Sequence, residues 1–83
     1  MREGFGMAQA ATAPKKVGYR WHYHTWNRNT DSETFRTRNE AIRAMRQAHP
    51  NAEKRRDEPN YSVGVYGVAW ITSVWDDGEE FSA

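Results

Sequence analysis

The chain has 83 residues, no cysteine and a formal net charge of +1 at pH 7. This length predicts a single domain, the lack of cysteine excludes a disulfide framework and a thiolate metal site, and the even charge argues against a dedicated nucleic-acid binder. No segment has the pattern of a signal peptide or the length and hydropathy of a membrane span, so we expect a cytoplasmic protein with no membrane partner.

Residues 1–16 carry Gly, Ala, Gln, Thr and Pro without apolar periodicity, and this composition predicts a flexible segment ahead of a single domain at residues 17–83. Residues 17–26 then alternate between apolar and polar side chains, which predicts a half-buried β-strand. The side chains expected on its two faces are Val17, Tyr19, Trp21 and Tyr23 on one, and Arg20, His22 and His24 on the other.

The next segment predicts the return of a hairpin and then a helix. Residues 27–32 have turn chemistry, and residues 33–36 can return as a short strand with Phe35 pointing inward. Thr37 and Glu40 have the spacing of a capping box, which predicts a helix that begins after Thr37 and is stopped by Pro50. Its apolar stripe is Ala41, Ile42, Met45 and Ala48.

Residues 51–60 form a predicted polar loop, and residues 61–75 are uncharged and rich in Val, Trp and Tyr, which favours strand. Fifteen residues exceed a common strand, so we expect either a tight hairpin or one long strand bent at a bulge. Gly67 is the better candidate for the break and Gly64 the next. Asp77-Gly78 predicts a further turn, followed by a short final strand.

The elements therefore predict an α+β fold, with an antiparallel sheet of four to five strands in β-β-α-β-β(-β) order and one helix packed on one face. We expect the other face to carry Arg20, His22 and His24 with Ile71 and Trp75, or their neighbours if the register slips by one residue. The predicted core is Tyr19, Trp21, Tyr23, Phe35, Ala41, Ile42, Met45, Ala48, Val63, Val65, Val68, Trp70 and Val74.

No residue pattern in the chain indicates catalysis, a cofactor or a metal. His22 and His24 could chelate a metal with His49, but a metal site also needs a carboxylate or a fixed third ligand and second-shell support. The carboxylates of residues 76–80 surround a glycine, which indicates a solvated turn. We therefore expect a non-enzymatic protein with no cofactor and no metal.

The candidate partner-binding residues are basic and aromatic side chains together with the acidic turn. Trp, Tyr and Arg are the residues that dominate interface energetics, and Trp26, Tyr66 and Trp75 are the aromatics expected to be exposed. The full predicted set is Arg20, His22, His24, Trp26, Arg43, Arg46, Arg55, Arg56, Tyr66, Trp75, Asp76 and Asp77.

Charge is also separated along the chain. All twelve Lys and Arg lie in residues 1–56 with five acids, whereas residues 57–83 hold six acids and no base. If the fold keeps the two parts on opposite surfaces, one face is cationic and one anionic; if their strands interleave, the charges cancel locally. The sequence leaves both arrangements open.

The order of hairpin, helix FRTRNEAIRAMRQA, aromatic strands and closing WDDGEEF resembles small phage or mobile-element inhibitor proteins of the anti-CRISPR type. The resemblance covers residues 19–82 and is one of plan, so it transfers no functional residue. The helix opening of Phe35, Thr37, Glu40 and Ala41 also resembles the N-terminal arm-binding domains of phage integrases, which have three strands before such a helix.

Three hypotheses follow. The leading one, implied by the first resemblance, is an interaction module that inhibits or regulates a larger protein or ribonucleoprotein complex that handles nucleic acid. The second is a small DNA- or RNA-binding regulator that uses residues 36–56, where Arg36, Arg38 and Lys54 add to the arginines already named. The third is a structural homodimer.

Overall fold

The computed structural model describes residues 13–83 and has one antiparallel sheet with one helix on one of its faces. The elements are β1 (Lys16–Thr25), β2 (Arg28–Asp31), α1 (Arg38–Ala48), β3 (Ala52–Lys54), β4 (Tyr61–Val63), β5 (Gly67–Trp75) and β6 (Glu80–Ser82). The strand order is β2-β1-β5-β4-β3, and β6 pairs with β5 at the end away from β4. The predicted α+β class is confirmed, while the element order is matched only in part.

The start of the domain lies close to the predicted boundary. Strand β1 begins at Lys16, and the main chain of Lys15 is joined to Asp76 by two hydrogen bonds, one to the carboxylate and one from the Asp76 N–H. The predicted flexibility of residues 1–16 concerns mainly residues 1–12, which lie outside the described part of the chain.

The first hairpin is tighter than predicted. Its turn is Trp26-Asn27, and β2 follows at once, with Thr25 opposite Arg28. The predicted turn at 27–32 and strand at 33–36 are therefore wrong, because β2 is a short edge strand that tolerates a polar sequence. Phe35 makes only an isolated bridge to Tyr19, yet its side chain does pack against the core as expected.

The helix follows the prediction closely. The Thr37 hydroxyl accepts a hydrogen bond from the Glu40 N–H, and the Glu40 carboxylate accepts one from the Thr37 N–H, both at 3.1 Å. This capping box fixes the first turn, and the helix ends at Ala48 before His49 and Pro50. Ala41 and Met45 are fully buried and Ile42 is half-buried, whereas Ala48 is exposed, contrary to prediction.

The predicted loop at 51–60 contains an unpredicted strand, β3. Ala52 is buried and lies opposite Val63, while Glu53 and Lys54 are exposed at the sheet edge. A three-residue edge strand needs only one small inward side chain, and so it lacks the apolar run that a sequence pattern detects.

The uncharged stretch at 61–75 forms the predicted hairpin rather than a bulged strand. The turn is Gly64-Val65-Tyr66, and Gly64 has the positive φ of +67° that glycine accommodates without strain. Gly67 is instead the first residue of β5, where it is buried and pairs with Val63. The second predicted turn is also present, since β5 ends at Trp75, β6 begins at Glu80 and Gly78 has φ +90°.

The register of β5 decides which of its residues face the helix, and it is the opposite of the predicted one. Ile71 lies across from Trp21 in the core, whereas Val68, Trp70 and Val74 are half-buried on the other face. Val65, also predicted as core, is in the turn. The buried apolar core is Trp21, Ala41, Met45, Ala52, Tyr61, Val63, Ala69 and Ile71.

Among residues 13–83 the single helix, α1, has neither the length nor the hydropathy of a membrane span.

Candidate functional site

The most exposed large apolar side chains lie together on two turns at one end of the sheet. Trp26 is 80% exposed, and Val65 and Tyr66 are 87% and 76% exposed. We call these three residues the apolar tip. Trp26 follows β1 and Tyr66 precedes β5, so the predicted exposure of both aromatics is confirmed.

The two turns are neighbours because β1 and β5 pair directly. His24 lies opposite Val68 in the last pair of this ladder, so the turn that follows β1 and the turn that precedes β5 leave the sheet at the same end. Arg28, which is also exposed, closes the first turn opposite Thr25. The tip therefore offers two aromatic side chains and one aliphatic side chain on adjacent turns, and Arg28 follows the first of these turns.

The tip stands on a rigid base. The Tyr23 ring packs so tightly against Gly67 that a Cβ there would lie 2.8 Å from the ring and 2.6 Å from the Val63 carbonyl oxygen. The His49 ring stacks on the same Tyr23 ring, with 4.2 Å between centroids. The turns are thus fixed at the sheet end while their side chains stay in solvent.

The face of the sheet away from α1, which we call the open face, carries a polar network rather than free binding groups. His22 Nδ1 lies 2.6 Å from Asp31 Oδ1, and its Nε2 lies 2.9 Å from Thr72 Oγ1 and 3.1 Å from Glu80 Oε1. The ring also stacks on Trp70, at 5.3 Å between centroids. Only 12% of the His22 side chain remains exposed.

Arg20 completes this network. Its Nη1 donates to Glu80 Oε2 and its Nε donates to the Ser32 carbonyl, both at 2.9 Å. Burial raises the pKa of Glu80, but the hydrogen bonds from Thr72 and Arg20 and the electrostatic interactions with His22 and Arg20 outweigh burial and hold the pKa below its ordinary value. Arg20 and His22 are therefore engaged within the chain, although the sequence suggested them as partner-binding residues.

Asp31, His22 and Thr72 form a series of carboxylate, imidazole and hydroxyl, an arrangement that the sequence did not predict. However, the buried Thr72 hydroxyl donates to Glu80 at 2.7 Å, so its hydrogen is not directed at His22. A nucleophile needs its hydroxyl proton in contact with the base and its oxygen accessible to substrate. This geometry supports the sheet rather than a nucleophilic reaction. No group of three His, Asp or Glu side chains within residues 13–83 is arranged to hold a metal.

The basic residues lie on α1, just before α1 and in the loop after β3. Arg36 and Arg43 line a cleft of about 360 Å³ with Glu40, whose carboxylate already caps the helix. The Arg46 guanidinium lies 5.3 Å from the centroid of Tyr61. We call Arg36, Arg38, Arg43 and Arg46 the basic face. Arg55 pairs with Glu58 at 3.0 Å, and Arg56 is exposed beside it.

The remaining predicted residues are separate from both regions. Trp75 is half-buried rather than exposed, and it lies with Asp76 and Asp77 at the opposite end of β5 from the tip. His24 is on the open face and contacts Asn29. The twelve predicted residues thus fall into four places: the tip, the open face, the basic residues and the acidic turn. Val65 was missed because its β-branched side chain suggested strand, although two flanking glycines marked a turn.

The comparisons with known proteins find no match: no protein-family model, no curated protein and no solved structure is similar to this chain.

Proposed function

We propose that the protein is a non-catalytic interaction module that docks on a larger protein through the apolar tip. The observation that carries this proposal is the exposure of Trp26, Val65 and Tyr66 on two adjacent turns. Large apolar side chains grouped on a surface mark interaction sites, and Trp and Tyr are enriched among the residues that dominate binding energy.

The base of the tip adds to this argument. Binding is weakened by the cost of ordering flexible groups, and turns that are already fixed by Tyr23, Gly67 and His49 reduce that cost. The aromatic side chains themselves have few rotatable bonds. The tip can therefore bind with little conformational change in the sheet.

As the class of partner we propose a complex that handles nucleic acid, with the chain as its inhibitor or regulator. This step rests on the similarity of plan to small inhibitor proteins of mobile elements. The surface charge is consistent with it, since the exposed acidic residues Asp76, Asp77 and Glu79 could compete for a basic site that normally holds phosphate.

Site-specific photo-crosslinking in the producing cell tests the docking proposal. A photoreactive phenylalanine analogue is placed at position 66, and in a matched control at position 43 on the basic face. We expect a discrete protein adduct from position 66 that disappears when Trp26→Ser is added, and no such adduct from position 43. Protein adducts from position 43 alone would contradict the proposal, and an adduct of two copies of the chain would support the homodimer instead.

A nucleic-acid-binding role is the second candidate, and the cleft that Arg36 and Arg43 share favours it. Phosphate contacts make binding fall steeply with salt. If this role is correct, the chain shifts duplex DNA or RNA at low salt, and the Arg43→Glu, Arg46→Glu double variant does not. No shift by the wild-type chain at low salt would eliminate it.

A further inference from the structure

A second concave site lies at the end of the sheet opposite the apolar tip. It is a pocket of about 230 Å³, which we call the Trp75 pocket, lined by Pro14, Trp75, Asp77, Glu79 and Phe81. The Trp75 and Phe81 rings meet nearly at right angles, with 6.4 Å between centroids and 82° between planes. They form two apolar walls, and Asp77 and Glu79 lie in the turn that joins the two strands.

The walls are held in place by hydrogen bonds. Trp75 Nε1 donates to Ser73 Oγ at 3.2 Å, and Ser73 Oγ donates to the Phe81 carbonyl at 3.3 Å, which ties both ring-bearing residues to one buried serine. The turn is closed by the Trp75 N–H donating to the Glu79 carbonyl and the Gly78 N–H donating to the Trp75 carbonyl, each at 3.0 Å. The pocket is therefore preformed.

The chemistry of the pocket selects a cation. The faces of aromatic rings attract cations, and in this chain the Lys16 ammonium already lies 5.7 Å from the centroid of Trp75. Asp77 and Glu79 add negative charge at the rim of an otherwise apolar pocket, where a phosphate or a carboxylate would be repelled. One Asp77 oxygen accepts a hydrogen bond from the Glu79 N–H at 3.0 Å, which holds that carboxylate at the turn. The apolar walls suit the aliphatic stem of a long basic side chain.

We propose that the Trp75 pocket binds an arginine side chain presented by a basic segment of a partner protein. The stem of the arginine packs between Trp75 and Phe81, and its guanidinium reaches the carboxylates of Asp77 and Glu79. Arginine fits better than lysine because its planar group stacks on aromatic rings and pairs with carboxylates in a fixed geometry. This site goes beyond docking through the apolar tip and shares no residue with it.

A titration followed by two-dimensional ¹H–¹⁵N NMR tests the proposal on the full chain. The probe is the peptide acetyl-GRGRGRG-amide, and the matched control is the same peptide with citrulline in place of arginine, which keeps the shape and removes the charge. The Trp75 indole signal is identified from the spectrum of Trp75→Phe. We expect the arginine peptide to shift the Trp75 indole and Phe81 amide signals, while the Trp26 indole signal stays in place.

Variants distinguish binding in the Trp75 pocket from unspecific attraction of the peptide to negative charge. Phe81 is 56% exposed, so Phe81→Ala should leave the fold intact and weaken the peptide about three- to ten-fold, as loss of a ring wall predicts. Glu79→Gln should weaken it by a similar factor. Glu53→Gln removes one exposed carboxylate on β3 and should change the affinity less than about twofold, because exposed charges that far away are screened.

Three results would overturn the proposal. One is an equal response to the citrulline peptide, because the site would then not select charge. Another is unchanged affinity in Phe81→Ala together with loss in Glu53→Gln, which would indicate unspecific attraction. The third is a Trp75 signal that moves with protein concentration without peptide, which would assign the pocket to a second copy of this chain. Because the tip variants leave the pocket intact, failure of the docking proposal would not produce any of these outcomes.

Discussion

His49 links the end of the helix to the aromatic base of the tip. It stacks on Tyr23 and meets Trp21 edge-on, with 5.5 Å between centroids. Burial disfavours the charged ring and lowers the pKa of His49 from its ordinary value of 6.5. The unfolded chain therefore takes up the proton at a higher pH than the folded chain.

This difference predicts how stability depends on pH. Above about pH 7 the ring is neutral in both states, and below 6.5 protonation of the unfolded chain draws the equilibrium towards unfolding until the lowered folded pKa is reached. We expect the free energy of unfolding to fall between pH 7 and pH 5, and His49→Phe, which keeps the stacking, to reduce this fall. Urea unfolding at several pH values measures it. An identical pH slope in the variant would contradict this account.

Glu80, on the open face, is an acidic group whose contribution to stability also depends on pH. Its pKa lies below 4.5, so its contribution to stability is complete above the unfolded pKa and is lost as the pH falls through the folded value. Glu80→Gln should cost about 1–2 kcal/mol at pH 7, because it weakens charge-assisted hydrogen bonds from Arg20 and Thr72.

The same unfolding measurement, repeated below pH 4, should show the stabilities of Glu80→Gln and wild type converging. Glu79→Gln is the matched control, since Glu79 is exposed in the turn, and it should leave stability nearly unchanged at both pH values. A constant difference between Glu80→Gln and wild type at all pH values would show that the loss is not electrostatic.

At the scale of elements, the sequence predicts those with strong local signals. The capping box at Thr37 and Glu40 and the glycine turn after Trp75 depend on neighbouring residues, and both are present. Strand β1 is present too, but its alternation fails at the start, where the register shifts between Lys16 and Gly18 and Val17 is 51% exposed. The elements that the sequence did not predict depend on residues that are distant in the chain. β2 and β3 form because a neighbouring strand offers an edge, so their own residues carry little apolar signal.

The candidate site shows the same division. The exposure of Trp26 and Tyr66 followed from an excess of aromatic side chains over what one short helix can cover. The engagement of His22 could not be predicted, because Thr72 and Glu80 are brought to it by the pairing of β1 with β5 and of β5 with β6. The predicted register of β5 was also wrong by one residue, so the prediction placed Trp70 in the core and Ile71 on the open face, the reverse of the structure.

The hairpin that carries Val65 and Tyr66 makes a prediction of its own. Gly67→Ala places a Cβ against the Val63 carbonyl and the Tyr23 ring, so we expect a loss of about 1–3 kcal/mol in thermal or urea unfolding. Gly64→Asn is the control and should cost little, since asparagine tolerates a positive φ and a Cβ there would meet only the Asn51 side chain, at an ordinary 3.7 Å. A costly Gly64→Asn with a neutral Gly67→Ala would contradict this placement of the two glycines.

For the whole molecule, folding removes part of the charge separation seen along the chain. Lys15 lies beside Asp76, and Arg20 pairs with Glu80, because the first and last strands are held on either side of β5. The basic face and the acidic turn keep local charge. The apolar tip lies at the opposite end of β5 from the acidic turn, and it is where we place the main protein contact.

The most direct test of this claim compares the proteins that co-purify with three versions of the chain in parallel, quantified by mass spectrometry. They are wild type, the tip variant Trp26→Ser with Tyr66→Ser, and the basic-face variant Arg43→Glu with Arg46→Glu, each with its melting temperature measured as a control of folding. We predict a defined set of proteins that wild type and the basic-face variant retain and that the folded tip variant loses at least about tenfold. Retention of the same set by the tip variant would contradict the account.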